Sequence, residues 1–336
     1  DLHSFPTRRS SDLRTYKGNL IGSLKSRSSS TAFMIGIVLV VSCFLLNLVN
    51  PAFLSRYNVS TLIRTISFTT IVAFGQTLVL LTGGIDLSVA GLAGASAIIS
   101  AWLMVNTSIH PYLCILMTAA GAFVAGLING ILITSVKLVP FIATLATGEI
   151  FGGLIYVITQ GWPIQNIPNE VIPLGRGMVG PVPFPAIIML LIGLILMIML
   201  KFFPFGRYIF AIGGNERAAR ITGIKTGKIT TIVYGLSGLM AGLSGILITA
   251  RLGAAQPSVG STWVMPSVTA AIIGGTSLTG GKGGIGGTII GAALMGVISN
   301  AIVLLEISAY WEKIIVGAVV LIAVTIDRVR AYKSGN

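Results

Sequence analysis

One acidic residue stands alone in a very long apolar stretch. Between Thr65 and Val136 the chain carries no Lys, Arg, Asp or Glu except Asp86. A carboxylate facing lipid at a helix centre costs about 2.5–3.5 kcal/mol. Asp86 is therefore expected at a membrane boundary, or turned toward protein or water. Its neighbours suggest the means. It lies in Thr82-Gly83-Gly84-Ile85-Asp86-Leu87-Ser88-Val89-Ala90-Gly91, where two successive glycines let the backbone break, turn and approach another segment closely. A second stretch, Gly274-Gly275-Thr276-Ser277-Leu278-Thr279-Gly280-Gly281-Lys282-Gly283-Gly284, has a similar texture. The two share Gly-Gly-x-x-Leu-Ser/Thr, which hints at an internal duplication.

Composition sets the class. Of 336 residues, 54% are hydrophobic and 9% charged, against about 25% charged in soluble domains. No single soluble core absorbs that much apolar sequence, so the expected fold is an all-α polytopic membrane protein. The net charge of +13 would suggest nucleic acid in a soluble protein. Here Lys and Arg instead mark cytoplasmic loops, and the expected partner is the lipid bilayer, with no nucleic acid. Cys43 and Cys114 lie inside apolar runs, and His3 and His110 are isolated. No Cys/His cluster has metal-ligand spacing, so no metal and no cofactor are expected.

Residues 1–31 are polar and basic and read as a cytoplasmic tail. Within it the run Ser4-Phe5-Pro6-Thr7-Arg8-Arg9-Ser10-Ser11-Asp12-Leu13 resembles a translated sequencing adapter, and residues 1–13 are set aside as artefactual. From residue 32 to 330 the pattern predicts one transmembrane domain, with a C-terminal tail at 331–336. Apolar runs of membrane-crossing length predict ten spans: 32–49, 61–81, 87–105, 112–135, 141–159, 184–200, 229–250, 264–278, 285–305 and 311–326. The stretch Gln160–Pro183 is too rich in Pro and Gly, and too polar, to span. With the N-terminus inside, the inner segments carry 17 basic residues and the outer ones 5. The excess predicts that both termini are cytoplasmic. Both glycine-rich stretches then fall near the cytoplasmic ends of spans. Glycine-interrupted segments in corresponding halves point to a transport path. The competing role for such glycines is close helix packing, for which Gly126/Gly130, Gly148/Gly152, Gly238/Gly242 and Gly287/Gly291 have the spacing.

Two motifs mislead. Gly281-Lys282-Gly283-Gly284-Ile285-Gly286 fits G-x-G-x-x-G, and Glu306 follows 20 residues later. The next helix is apolar all round, and no βαβ unit surrounds it, so a dinucleotide fold is rejected. The P-loop pattern fails because Gly283 follows Lys282. ATP-driven transport would thus need another subunit. No pair of ionisable residues has catalytic spacing, and no enzyme is expected. Glu149, inside the fifth span, is either a pathway residue or a protonated packing residue. In the longest inner loop, 203–228, Asn215 is placed as a helix N-cap, Glu216 suits the first turn and Gly223 ends the helix. Ala218 and Ala219 give that helix a small face, suited to docking a partner or to lying on anionic lipid.

At these residues the chain resembles the ribose/xylose/galactoside-type permeases of bacterial ABC importers. The resemblance rests on Gly75 to Ser88, on Ile273 to Gly283, on Ala211 through Ile224, and on Gly161-Trp162-Pro163-Ile164 in the outer loop, and it covers roughly 32–330. It implies ten helices acting as a homodimer in the inner membrane. A second permease copy, a cytoplasmic ATP-binding subunit and an extracytoplasmic sugar-binding protein would complete the machine, with a monosaccharide as cargo. Asn215, Glu216, Ala218, Ala219 and Gly223 would couple to the ATPase. Gly83, Gly84, Asp86, Ser88, Gly274 and Gly275 would shape helix breaks beside the path. Glu149 departs from the small or apolar residue expected of the family. The rival class is a secondary transporter driven by an ion gradient, with Asp86 and Glu149 as its ion sites.

Overall fold

The computed structural model describes residues 33–308, 310–311, 313–319, 321 and 325. The expected tails at 1–31 and 331–336, and much of the expected tenth span, lie outside the described residues. Among those described, seven helices are long and apolar enough to cross a membrane. They are α2 (Arg56–Leu81), α3 (Val89–Asn106), α4 (Pro111–Thr134), α5 (Pro140–Thr159), α7 (Phe184–Phe202), α10 (Thr226–Leu252) and α12 (Ile285–Leu304). Two shorter apolar helices, α1 (Phe33–Val49) and α11 (Val264–Ile273), join them. The connections carry α6 (Ile172–Arg176), α8 (Pro204–Gly214) and α9 (Glu216–Ile221), with a small hairpin of β1 (Met178–Val179) and β2 (Val182–Pro183). The multi-pass helical class is as expected.

The bundle is built around α10, which packs on α2, α3 and α4. Lipid tails are as apolar as the spans, so tight packing rather than water exclusion must hold the helices together. Small residues at the crossings supply it. A methyl group on Gly126 of α4 would lie 2.2 Å from the Tyr234 carbonyl oxygen of α10. One on Gly245 of α10 would lie 2.0 Å from that of Ala93 in α3. The paired glycines at 126/130 and 238/242 are thus helix-contact residues. Phe68, Phe74 and Leu78 of α2 fill the space against Leu196 of α7 and Tyr234 of α10. Two-thirds (67%) of the apolar window is buried in α2, α3 and α10, against 22% in α5.

The eighth expected span, 264–278, is already short for a crossing, and its helix is shorter still. Helix α11 has only 10 residues, about 15 Å at 1.5 Å per residue, or half the hydrocarbon thickness. It stops at Gly274, and Gly275 takes φ +94°, a left-handed conformation that glycine adopts without strain. The chain then folds back through Ser277–Gly284 into α12. Within this segment Gly274 and Thr276 are buried against the bundle while Gly275 is exposed.

Because α2 and α10 run antiparallel, the start of one meets the end of the other. There Arg176 donates from Nε to the Arg251 carbonyl at 2.5 Å and from Nη2 to the Leu252 carbonyl at 2.7 Å, capping α10. Arg64 donates to the Arg176 carbonyl at 3.2 Å. Three of the five arginine and lysine side chains expected outside therefore gather at one end of the bundle. The glycine-rich stretches and α9 lie at the other.

Candidate functional site

Helix α2 ends at Leu81 because the next residues reverse the chain. Gly83 adopts φ +82°, and the Gly83 and Gly84 amides donate to the Leu80 and Val79 carbonyls at 2.8 and 3.1 Å. These bonds close the helix with a glycine C-cap. Gly84 is pressed against α10: a methyl there would lie 2.4 Å from the Tyr234 hydroxyl. The linker then runs through Asp86 to Ser88, where α3 begins.

Asp86 is fully buried. One carboxylate oxygen, Oδ1, accepts from the Ser88 amide at 2.9 Å and the Ser88 hydroxyl at 2.5 Å. The other, Oδ2, accepts from the Ser237 hydroxyl of α10 at 2.7 Å. Ser88 is held in turn by Asn129 of α4, whose Nδ2 donates to its Oγ at 2.8 Å. Gln76 of α2 brackets the Asp86 backbone, donating to its carbonyl and accepting from its amide. Thr144 of α5 accepts from the Leu87 amide at 3.0 Å. Irregular backbone at membrane depth is tolerated only where protein satisfies its polar groups. Here four helices do so, and Asp86 is the anchor that stitches the break to α10.

The second break lies against the first. The Gly281 amide donates to the Leu81 carbonyl at 3.0 Å. A methyl on Gly213, near the end of α8, would lie 1.9 Å from that carbonyl oxygen and 2.4 Å from the Gly281 nitrogen. So α2, the loop after α11, and α8 meet backbone to backbone. Gly274 is equally tight on α12, with a methyl 2.4 Å from the Gly287 carbonyl. Thr77 and Thr288 share a hydrogen bond of 2.7 Å between α2 and α12.

Helix α9 follows directly from this junction. Asn215 caps it, Oδ1 accepting from the Ala218 amide at 2.9 Å. Glu216 pairs with Arg220 at 2.6 Å and accepts from the Thr226 hydroxyl at 3.2 Å. The pair is exposed and contributes at most about 1 kcal/mol. Gly223 follows the helix with a positive φ. The two alanines differ: Ala218 is exposed, whereas Ala219 is 5% exposed and packs inward. A cavity of about 820 Å³ lies between α9 and the first break, reaching Gly83, Gly84, Lys137, Arg220, Lys225 and Tyr234.

The fold therefore brings Gly83, Gly84, Asp86 and Ser88 together, sets Gly274 and Gly275 in the neighbouring break, and hangs Asn215–Gly223 beside both. Glu149 is not part of the cluster. Gly148 packs on Ser88, a methyl there lying 3.1 Å from the Ser88 Cα, while Glu149 points to the outer, exposed face of α5. Sequence reasoning missed Gln76, Asn129 and Ser237 as partners of the break. The readable signal for the first two was a carboxamide inside an apolar span. Ser237 carried none.

Apolar spans interrupted by two backbone breaks that touch at one end define a membrane transport protein. The chain matches the family model described as "Branched-chain amino acid transport system / permease component" over residues 58–324, and it belongs to that permease family. It is 41% identical over 292 residues to the "Ribose import permease protein RbsC" of Bacillus subtilis (strain 168), covering 86% of this chain and 90% of the relative. It is 37% identical over 295 residues to the protein of the same name in Escherichia coli (strain K12), covering 87% and 92%. With the "D-allose transport system permease protein AlsC" of Escherichia coli (strain K12) it shares 34% over 279 residues, covering 82% and 85%. No solved structure matches the chain.

Proposed function

We propose that this chain is the permease subunit of an ATP-driven importer for a ribose-like monosaccharide, set in the bacterial inner membrane. The observation that carries the reading is similarity to ribose import permeases over 86–87% of the chain together with the contact between the end of α8, from which α9 follows, and both helix breaks. Ten membrane-crossing segments with both termini cytoplasmic agree with the charge excess, and α11 with its following loop forms the eighth. A second copy completes the translocation path at the interface. A cytoplasmic ATPase binds the segment 203–228, and an extracytoplasmic binding protein delivers the sugar.

The arrangement gives a route for force. Asn215, Glu216, Ala218, Ala219 and Gly223 form the coupling element, with Ala218 as the face offered to the ATPase. Movement of α9 is transmitted through α8 to Gly213. There it meets the Leu81 carbonyl and the Gly281 amide, and so both breaks at once. Gly83, Gly84, Asp86, Ser88, Gly274 and Gly275 shape those breaks beside the path, while Glu149 faces the partner copy. The chain itself performs no chemistry.

The test is transport by proteoliposomes holding the purified complex. The reading predicts D-ribose uptake that requires ATP together with the binding protein. Uptake by the permease alone, driven by an ion gradient and indifferent to ATP, would replace it with a secondary-transport mechanism centred on Asp86 and Glu149.

A further inference from the structure

The cavity of about 820 Å³ between α9 and the first break has an uneven charge. Four basic residues line it, Lys137, Arg220, Lys225 and Lys228, against one carboxylate, Glu216. That carboxylate is already engaged, by Arg220 at 2.6 Å and by the Thr226 hydroxyl at 3.2 Å. Lys137, Lys225 and Lys228 pair with no carboxylate among the described residues. Like charges gathered around one recess repel each other unless an anion lies among them. The backbone adds to the demand. Lys225 and Lys228 stand at the start of α10, the positive end of the helix dipole, where cations are disfavoured. The first turn of α10 holds no acidic residue, and no side chain caps it. Lys137, just past the end of α4, takes φ +68°, a left-handed conformation that glycine would hold with less strain. An outlier of this kind points to a use for the side chain that it carries.

We propose that this cavity binds a phosphate group, held by Lys137, Lys225 and Lys228, which ties the start of α10 to the α4–α5 connection and steadies α9 against the first break. A phosphate monoester carries about −1.5 to −2 charge and three acceptor oxygens, enough to answer three lysines where one carboxylate is not. The volume lies within the range of small-ligand sites, about 300–1,000 Å³, and Thr82, Thr134 and Thr230 add hydroxyl groups to the wall. Two sources offer this chemistry. One is a phosphate ester in solution. The other is the headgroup of an anionic lipid, since Val136 and Val139 are exposed on either side of Lys137. The inference rests on the importer reading for one point, that the cavity opens to the cytoplasm.

The experiment uses the full-length permease in phosphatidylcholine nanodiscs, titrated calorimetrically at constant ionic strength with inorganic phosphate and with D-ribose 5-phosphate. Saturable binding is expected, weakened about tenfold or more in the double variant Lys225→Ala, Lys228→Ala. Lys137→Gly should weaken it similarly while leaving the melting temperature undiminished, because glycine suits the left-handed backbone there; this variant keeps the test open should the double variant fail to fold. Arg207→Ala, which removes a charge outside the cavity, should bind within about twofold of the native chain. A lipid source gives a different pattern. Neither soluble probe then titrates, and phosphatidylglycerol stays with the native chain through purification but leaves both lysine variants. Binding of neither kind, binding or lipid retention unchanged in both lysine variants, or an equal loss in Arg207→Ala would overturn the proposal. ATP-dependent uptake by the native complex would stand in each of those cases, so failure here is separable from failure of the importer reading.

Discussion

The Gly281 amide donates to the Leu81 carbonyl at 3.0 Å, joining the end of α2 to the loop that follows α11. Gly213 seals the same spot from α8, and no side chain has room to enter it. Gly213→Ala must therefore push the two breaks apart. Overpacking of this kind costs about 1–3 kcal/mol, and the damage falls on the proposed coupling route. The expected outcome is a lower melting temperature of the purified permease and sugar uptake lost out of proportion to it. Gly214→Ala, where a methyl meets nothing within 4 Å, should leave both unchanged.

Asp86 is held by donors alone, so its removal strands them. Each stranded buried donor costs about 1–3 kcal/mol. Asp86→Ala leaves the Ser88 amide, the Ser88 hydroxyl and the Ser237 hydroxyl short of an acceptor and should cost upward of about 3 kcal/mol. Asp86→Asn keeps an acceptor for Ser88, and the Ser237 hydroxyl can turn to accept, so a loss near 1 kcal/mol is expected. Thermal melts of the detergent-purified variants check the order: native, then asparagine, then alanine.

Glycines at packing spacing are not equal either. Gly126 lies against the Tyr234 carbonyl, whereas Gly152 faces open space. Gly126→Ala should separate α4 from α10 and lower the yield of folded permease sharply. Gly152→Ala should melt within about 0.5 kcal/mol of the native chain. Size-exclusion profiles and melting curves of the pair measure the difference.

The spans were legible because a bilayer fixes their length and apolar character: the expected 112–135 and 141–159 became Pro111–Thr134 and Pro140–Thr159. The cap at Asn215 was legible for a local reason, since an N-cap needs only residues within one turn. That the eighth span would be short was legible; that its helix stops at Ile273 was not, since a glycine pair ends a helix only where the backbone turns there. Nor were the partners of Asp86. Ser237 is 151 positions away, and nothing in a serine on an apolar helix says which carboxylate it will meet. Asp86 itself was rightly expected to face protein, water or a boundary. Glu149 could be placed on α5 but not on a face of it, because hydrophobic residues occur on every face of that helix.

Coupling through α9 is the central claim, and Ala218 tests it most directly because its side chain is exposed while that of Ala219 is not. The measurement is purification of tagged permease from its native membrane, with identification of what accompanies it, for the native chain and for Ala218→Glu. The account predicts that an ATPase accompanies the native chain and is lost from Ala218→Glu, with the melting temperature of the permease unchanged. An ATPase retained by Ala218→Glu would contradict the docking face. A native permease recovered without one, with sugar uptake undiminished after deletion of the ATPase, would contradict the ATP-driven mechanism itself.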